Sequence, residues 1–320
     1  MPHLNRRAVS LLGLAALASP RAFAQGAYPS RPIRLIIGFP PSAASDICGR
    51  LFAEYAAPIL GQQFVPENKP GAGSSIAAQY VARATPDGYT LFVPALSTLT
   101  NELASPKPAF DMSKDFTAVA LLANLAIVLV VNPATGVRSI ADLIAFAKAK
   151  PGQVLYASVG AGSLPHLCGV MFAQRAGIEL VHVPYPGSPQ GVIDVVAGRI
   201  TMMFAPASGI VGQVAAGKLT ALATAADKRP VALPDVPTMA EAGMPDFDTS
   251  LWLGLLAPAG TPRPIIEKLA DAAHKAMHAP AAVETLRKQG YEPLDAGPDA
   301  FAAFIRSEIT RWSTVAKAAT

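Results

Sequence analysis

Short apolar runs alternate with longer amphipathic runs along most of the chain. The short runs predict β-strands, because each is rich in β-branched residues or leucine and is bounded by Gly, Pro or Ser. They are residues 33–39, 90–94, 126–132, 154–158, 180–185, 200–205, 219–225 and 251–258. The longer runs predict helices over residues 46–60, 73–84, 139–149, 165–177, 188–199, 264–279, 281–290 and 298–318. This alternation predicts α/β domains with largely parallel sheets.

The last part of the chain breaks the alternation. From Pro264 onward the pattern is helical, with no further strong strand. Because a terminal helical block needs a sheet to pack on, we predict that the chain leaves its first lobe, builds a second one and returns. The apolar strands at residues 126–132 and 251–258 are the predicted crossings. Two lobes joined by two strands leave a cleft, which is where small ligands prefer to bind.

The N-terminus has the features of an export signal. It has a basic start, an apolar run at residues 8–18 and a small-residue cleavage site at residues 22–24. We therefore predict a cleaved signal over residues 1–24 and a soluble, periplasmic mature protein. The pair Arg6 and Arg7 leaves both the general secretory route and the twin-arginine route open.

Charge excludes one class of partner. Without the three arginines of residues 1–24, the chain has 23 basic and 22 acidic residues. No cluster of Lys or Arg stands out in the remainder, so we expect no nucleic-acid partner.

Two loops that follow predicted strands are candidates for ligand binding. Residues 40–45 (PPSAAS) and residues 159–165 (VGAGSLP) consist mostly of small residues, and each precedes a predicted helix. Small residues let a ligand approach the backbone closely. Free N–H groups and the dipole at a helix start attract carboxylate or phosphate. An ordinary tight turn at residues 160–163 stays an alternative, as does a purely capping role for Ser45 and Asp46.

The sequence contains no convincing catalytic or metal-binding motif. There is no G-x-S-x-G elbow and no complete Walker A or G-x-G-x-x-G motif. A secreted hydrolase with Ser163 or Ser45 as nucleophile remains the rival hypothesis, but we expect no enzymatic activity. Cys48 and Cys168 are expected to be small buried side chains, with a disulfide between them as the alternative. No cofactor and no metal are expected.

Several ordered segments resemble the periplasmic solute-binding receptors of tripartite tricarboxylate transporters, also called the Bug family. They are residues 28–41, 67–78, 85–92, 157–167, 183–200, 229–243 and 252–262, so the resemblance covers essentially the whole mature chain. It implies a type II periplasmic-binding-protein fold, with two α/β lobes joined by two crossover strands around a ligand cleft. The corresponding division is residues 25–128 for the first part of lobe 1, 129–250 for lobe 2 and 251–320 for the returning part of lobe 1.

The resemblance also implies a function and a set of site residues. It implies a receptor that closes on a small carboxylate and delivers it to membrane transporter subunits, and that acts as a monomer. A sensor or adaptor role outside transport is the alternative. The implied contacts are in a first loop (residues 39–46), a second loop (residues 158–163) and nearby positions. Together with His166, which is either a structural hydrogen-bonding residue or a ligand contact, the candidate site residues are Phe39, Pro40, Ser42, Ala43, Ser45, Asp46, Ser97, Thr98, Ser158, Gly160, Gly162, Ser163, Tyr185, Gly187 and Ala205.

Two departures from the family pattern bear on the ligand. The family commonly has a Gly-Gly pair in the first loop, where this chain has Ser42 and Ala43. The loss of both glycines restricts the backbone, while the serines of this loop add hydroxyl donors. Many members have an acidic residue where this chain has Ala205, which leaves Asp46 as the one nearby acid that we can nominate to accept from an ammonium group. We therefore expect a carboxylic acid without an amine.

Overall fold

The computed structural model describes residues 28–245, 247 and 249–318. The predicted export signal lies outside these residues. Within the described part of the chain, no helix is long and apolar enough to cross a membrane.

The first lobe is built on a mixed sheet of six strands. These are β1 (Ile33–Ile37), β2 (Phe64–Asn68), β3 (Thr90–Val93), β4 (Phe116–Val131), β9 (Ser250–Pro258) and β10 (Tyr291–Ala296). Their order is β2-β1-β3-β9-β4-β10. The pairs β1–β2 and β1–β3 are parallel, and those that involve β4 or β9 are antiparallel.

The second lobe is built on the far end of β4. Its further strands are β5 (Leu155–Ser158), β6 (Val181–Pro184), β7 (Met202–Pro206) and β8 (Thr220–Thr224). From residue 127 onward β4 pairs with β7, and from residue 128 it also pairs with β8, while β5 lies between β7 and β6 in parallel. The 16-residue β4 therefore runs through both lobes, and it is almost wholly buried because it is covered on both faces.

In the described part of the chain, ten α-helices cover the two sheets. Those of the first lobe and the crossing are α1 (Ala44–Leu60), α2 (Ser75–Ala82), α3 (Leu96–Ala104), α8 (Arg263–His278), α9 (Pro280–Lys288) and α10 (Pro298–Ala318). Those between β4 and β9 are α4 (Ile140–Ala149), α5 (Leu164–Ala176), α6 (Ser188–Val196) and α7 (Val211–Ala215). The predicted strands and helices are thus present, with shifted ends.

Several features of the fold, the short α7 among them, were not predicted. The sheets are mixed and not largely parallel, because the two crossing strands run against their neighbours. The prediction of nearly pure helix after Pro264, without a further strong strand, was wrong, because β10 lies between α9 and α10. Both β10 and β2 contain a proline and are half-exposed, so neither carries an apolar run. Helix α3 lacks a polar side chain at its first cap position, Ala95, and therefore gave no start signal.

Both cysteines are free and fully buried, as expected for small core residues. Burial raises the pKa of each thiol to about 12. Cys48 lies on α1, just after the first loop. Close by, the fully buried Tyr291 of β10 donates a hydrogen bond of 2.8 Å to the carbonyl oxygen of Ala44. The returning C-terminal part therefore holds the start of α1 in place.

Candidate functional site

The first loop presents the start of α1 without a side-chain cap. Ala43 is the cap residue, and no side chain accepts from the first N–H groups of the helix. The backbone N–H groups of Ala44 and Ser45 have no partner within the described part of the chain. Ser45 is 2 % exposed, and its buried hydroxyl also lacks a hydrogen-bond partner there. Unsatisfied buried donors of this kind are rare in folded proteins, so they need an explanation.

Asp46 fixes the shape of the first loop. Its Oδ2 accepts from the backbone N–H of Ser42 at 2.9 Å. Its Oδ1 accepts from Nε of Arg50 at 2.8 Å and from Nδ2 of Asn68 at 2.9 Å. Ser42 has a φ of +65°, a left-handed conformation that a glycine would adopt at lower cost. The loop therefore keeps a glycine-type turn without the glycine, and the carboxylate of Asp46 holds that turn.

The second loop satisfies its hydroxyl groups internally. Ser163 Oγ donates to the carbonyl oxygen of Gly160 at 2.7 Å. Ser158 Oγ accepts from the N–H of Gly160 at 3.0 Å and lies 2.5 Å from Nε2 of His182. Gly160 and Gly162 have φ values of +111° and +77°, so both positions need glycine.

Two histidines stand directly behind the second loop. Nδ1 of His166 accepts from the N–H of Gly162 at 3.1 Å, and its ring centroid lies 4.4 Å from that of His182. Burial, and then the neighbouring His182, lower the pKa of His166 to about 4. Burial also lowers the pKa of His182. Both rings are therefore neutral at pH 7, and His166 acts as a structural acceptor for the loop.

A small cavity lies where the two lobes meet, in contact with both loops. Its volume is about 20 Å³, roughly the room of one water molecule. The starts of four helices surround it, those of α1, α3, α5 and α6. Of the described residues that line it, none is charged: they are Phe39, Ala43, Ala44, Ser45, Ala95, Ser97, Val159, Pro165, Ser188, Pro206 and Leu251.

Contacts across the cleft bring the lobes close together at this point. Oγ of Ser97, on α3, accepts from the N–H of Leu164, at the start of α5, at 3.4 Å. Pro40 of the first loop also lies close to Gly187, which precedes α6. A methyl group added to Gly187 would lie 2.9 Å from the Cδ and Cγ atoms of Pro40.

The structure divides the candidate site residues into three groups. Four of them line the cavity: Phe39, Ala43, Ser45 and Ser97. A second group shapes or joins the loops, and it consists of Pro40, Ser42, Asp46, Ser158, Gly160, Gly162, Ser163, His166 and Gly187.

The third group makes contacts away from the cavity. Thr98 Oγ1 accepts from the N–H of Ala95 and so caps α3. The Tyr185 hydroxyl donates to Oδ2 of Asp194 at 2.6 Å. Burial and the hydrogen bond to Asp194 raise the pKa of Tyr185 to about 12. Ala205 is fully buried in β7, one residue before the cavity-lining Pro206.

Sequence reasoning missed seven of the lining residues, namely Ala44, Ala95, Val159, Pro165, Ser188, Pro206 and Leu251. Ser188 is the first residue of α6, and its place after Gly187 was the signal that could have identified it. Leu251 was assigned to a crossing strand, and nothing in its pattern distinguishes a lining residue from a core residue.

The geometry of a serine hydrolase is not seen at the two serines considered for it. Ser163 Oγ donates to a backbone carbonyl, and Ser45 Oγ has no partner among the residues described. Among the described residues, neither hydroxyl has a hydrogen bond to a histidine, whereas an activated serine nucleophile needs an adjacent base.

Comparison with known proteins identifies the family. The model of the tripartite tricarboxylate transporter family receptor matches residues 48–320. The chain belongs to this receptor family. BugT of Bordetella pertussis is 36 % identical over 295 residues, which are 91 % of this chain and 90 % of that protein.

Solved structures of similar proteins show the same two-lobe fold. The Rhodopseudomonas palustris protein Rpa4515, solved with adipate, has 33 % sequence identity and a TM-score of 0.88, over 91 % of this chain and 98 % of that one. MatC from Rhodopseudomonas palustris, solved with bound malate, has 31 % identity and a TM-score of 0.85, over 90 % of this chain and 100 % of that one. The chain is therefore a periplasmic solute-binding protein of the type II fold, as the resemblance implied.

Proposed function

We propose that the chain binds a small organic carboxylate between its lobes and delivers it to the membrane subunits of a tripartite transporter. The observation that carries this proposal is the Ser45 hydroxyl. It is buried, has no hydrogen-bond partner among the residues that the structure describes, and lies at the start of α1 beside the cavity. Hydroxyl and backbone N–H donors are the groups that bind a carboxylate oxygen, and the helix dipoles favour negative charge there.

The strength of these contacts explains why both lobes are needed. A helix start contributes about 0.3–1 kcal/mol to an anion contact, and up to about 2 kcal/mol when partly buried. Micromolar binding requires about 8 kcal/mol. One loop alone is therefore too weak, whereas four helix starts together with the hydroxyls of Ser45, Ser97 and Ser188 reach that range.

The lining supports an acid without an amine. A primary ammonium group needs acceptors or an acidic partner when it is buried. The one acid of the first loop, Asp46, already accepts from Ser42, Arg50 and Asn68, and it does not line the cavity. The similar proteins solved with adipate and malate also hold acids without an amine.

A ligand screen with one matched pair of variants tests the proposal. Isothermal titration calorimetry is run with adipate, malate and their dimethyl esters on the purified mature chain. We expect at least one free acid to bind and its diester not to bind. Ser45→Ala should weaken binding about 10- to 150-fold, because a hydrogen bond to a charged group contributes about 1.5–3 kcal/mol.

Ser74→Ala is the control for that experiment. The Ser74 hydroxyl is also buried and unpartnered, but it does not line the cavity. It should leave the affinity unchanged. Equal binding of acid and diester, or equal loss in the two variants, would reject the carboxylate site.

Closure of the lobes is the mechanism that we propose for capture. A cavity of about 20 Å³ admits a dicarboxylate only when the lobes separate and then close again. We place the bending points at the proposed lobe boundaries, near residues 128 and 250. Gly187→Ala adds a methyl group against Pro40 in the closed state without backbone strain, since the φ of Gly187 is −168°. It should weaken ligand binding about 10-fold or more, whereas Gly212→Ala, which meets nothing within 4 Å, should not.

Delivery to a transporter is tested in cells. A strain that lacks the gene should lose uptake of the bound acid, and the wild-type gene should restore it. If the Ser45→Ala gene restores uptake as fully as the wild-type gene at low ligand concentration, the link between cleft binding and transport is wrong.

A further inference from the structure

The sequence H-x-x-x-H on α8 places two imidazole rings on one side of a helix, apart from the ligand cleft. His274 and His278 are four residues apart, and their ring centroids are 4.7 Å apart. Asp295, on β10, approaches the same point, and its Oδ1 lies 2.9 Å from Nδ1 of His274. One ligand atom of each of these three residues lies within 4.8 Å of those of the other two.

The hydrogen bonds of the two rings fix which nitrogen is free. The carbonyl oxygen of His274 can only accept, so the bond of 2.9 Å to Nδ1 of His278 means that this nitrogen carries the proton. The carboxylate of Asp295 likewise accepts from Nδ1 of His274. In the neutral rings both Nε2 atoms are therefore unprotonated, and an imidazole needs such a nitrogen to bind a metal.

The surroundings of the rings also suit a cation. A histidine ligand typically donates its other ring N–H to a carboxylate or a backbone carbonyl, which orients the ring, and both arrangements are present here. His278 is the last residue of the 16-residue α8, where the helix dipole favours positive charge. The ladder between β10 and β4 is irregular between Pro293 and Ala296, and this irregularity brings Asp295 towards α8.

We propose that His274 and His278 bind a borderline divalent cation of the Zn²⁺, Ni²⁺ or Cu²⁺ type through their Nε2 atoms, with Asp295 orienting His274. Two nitrogens bound to one tetrahedral Zn²⁺ at about 2.0–2.1 Å are about 3.3 Å apart. The side chain of His274 is 52 % exposed, so small rotations bring the rings to that spacing. Imidazole ligands select these cations over Mg²⁺ and Ca²⁺.

Calorimetric titration of the full mature chain, without an affinity tag and without carboxylate ligand, tests the site with Ni²⁺ and Zn²⁺. We expect one site per chain. Asp295→Asn should weaken binding about 10- to 100-fold, as loss of an orienting partner does. His274→Ala and His278→Ala should each weaken it at least as much. Glu284→Gln, an exposed acid on α9, is the matched control and should have no effect.

Three results would overturn the proposal. The first is equal binding of Mg²⁺, which would indicate simple charge attraction. The second is undiminished Ni²⁺ binding in the double variant with both histidines replaced, which would assign the ion to His166 and His182 or to adventitious sites. The third is equal binding in Asp295→Asn and wild type, which would remove the orienting role. Circular dichroism of each variant separates loss of the site from loss of the fold.

Discussion

The first and second loops occupy equivalent places in the two lobes, but they are held in opposite ways. The second loop uses glycine at its positive φ positions and satisfies its hydroxyls within itself and on His182. The first loop has a serine at its positive φ position, is held by the carboxylate of Asp46, and leaves the Ser45 hydroxyl free.

Because of this difference, the two loops have different groups to offer to a ligand. The second loop offers mainly shape, because its hydroxyls and the N–H groups of Gly160 and Gly162 are already used. The first loop offers an additional hydroxyl donor, because Asp46 takes over the structural task that serine hydroxyls have in the second loop. Ligand selectivity in this receptor should therefore depend more on side chains of the first loop than on those of the second.

The largest effect on stability should come from removing the carboxylate of Asp46, which holds the turn of the first loop. Asp46→Ala leaves the N–H of Ser42 and the side chains of Asn68 and Arg50 without their shared acceptor. We expect the free energy of unfolding to fall by about 3 kcal/mol, since hydrogen bonds to a charged group contribute about 1.5–3 kcal/mol each and Arg50 keeps partial solvation. Urea unfolding measures the change.

Ser163→Ala is the matched variant in the second loop, for comparison with Asp46→Ala. It removes one buried neutral hydrogen bond, to Gly160, and should cost about 1 kcal/mol. If the two variants are equally destabilised, the carboxylate is not the main support of the first loop and the comparison fails.

A pH effect should appear on the second loop. The pKa of His166 is lowered to about 4 by burial and by His182. The unfolded chain therefore takes up the proton first as the pH falls. The stability that comes from the neutral ring is complete above about pH 6.5 and is lost between that pH and pH 4. We expect wild type to lose about 2 kcal/mol from this group between pH 7 and pH 4.5.

His166→Asn isolates that contribution. An asparagine oxygen can accept from the N–H of Gly162 in place of Nδ1, but it does not titrate in this range. The variant should lose about 2 kcal/mol less than wild type over the same interval in urea unfolding. Parallel pH curves for the two proteins would show that His166 is not held neutral by the fold.

The sequence predicted the two loops better than it predicted what surrounds them. Strand, small-residue loop and helix follow one another in both lobes, and this local pattern requires no knowledge of tertiary contacts. Helix α3 was missed because Ala95 is not a capping residue, and β10 was missed because residues 291–296 are polar and half-exposed. Their structure is fixed by partners distant in the chain, such as Ala44 for Tyr291.

The roles of the site residues were harder to infer than their positions. Ser45 and Asp46 were predicted as ligand contacts next to a helix beginning at residue 46, with a purely capping role as the alternative. The helix begins at Ala44, so both lie in its first turn, where one hydroxyl is left free and one carboxylate faces back to Ser42. A shift of two residues at a helix start is within ordinary uncertainty of boundaries, yet it decides which donors face the cleft.

The smallest effect should come from relieving the strained position of the first loop. Ser42 adopts a φ of +65°, which costs a non-glycine residue about 1–2 kcal/mol, whereas glycine loses about 0.5–1 kcal/mol more conformational entropy on folding. Ser42→Gly should therefore raise the free energy of unfolding by about 0.5 kcal/mol. At Ala43 the φ of −72° is unstrained, so Ala43→Gly only adds the entropy cost of glycine. It should lower the free energy of unfolding by about 0.5–1 kcal/mol. Urea unfolding of the Ser42→Gly and Ala43→Gly variants should therefore give changes of opposite sign in the free energy of unfolding. If this free energy falls in both variants, Ser42 is not strained. The two loops then differ less than their backbone conformations indicate.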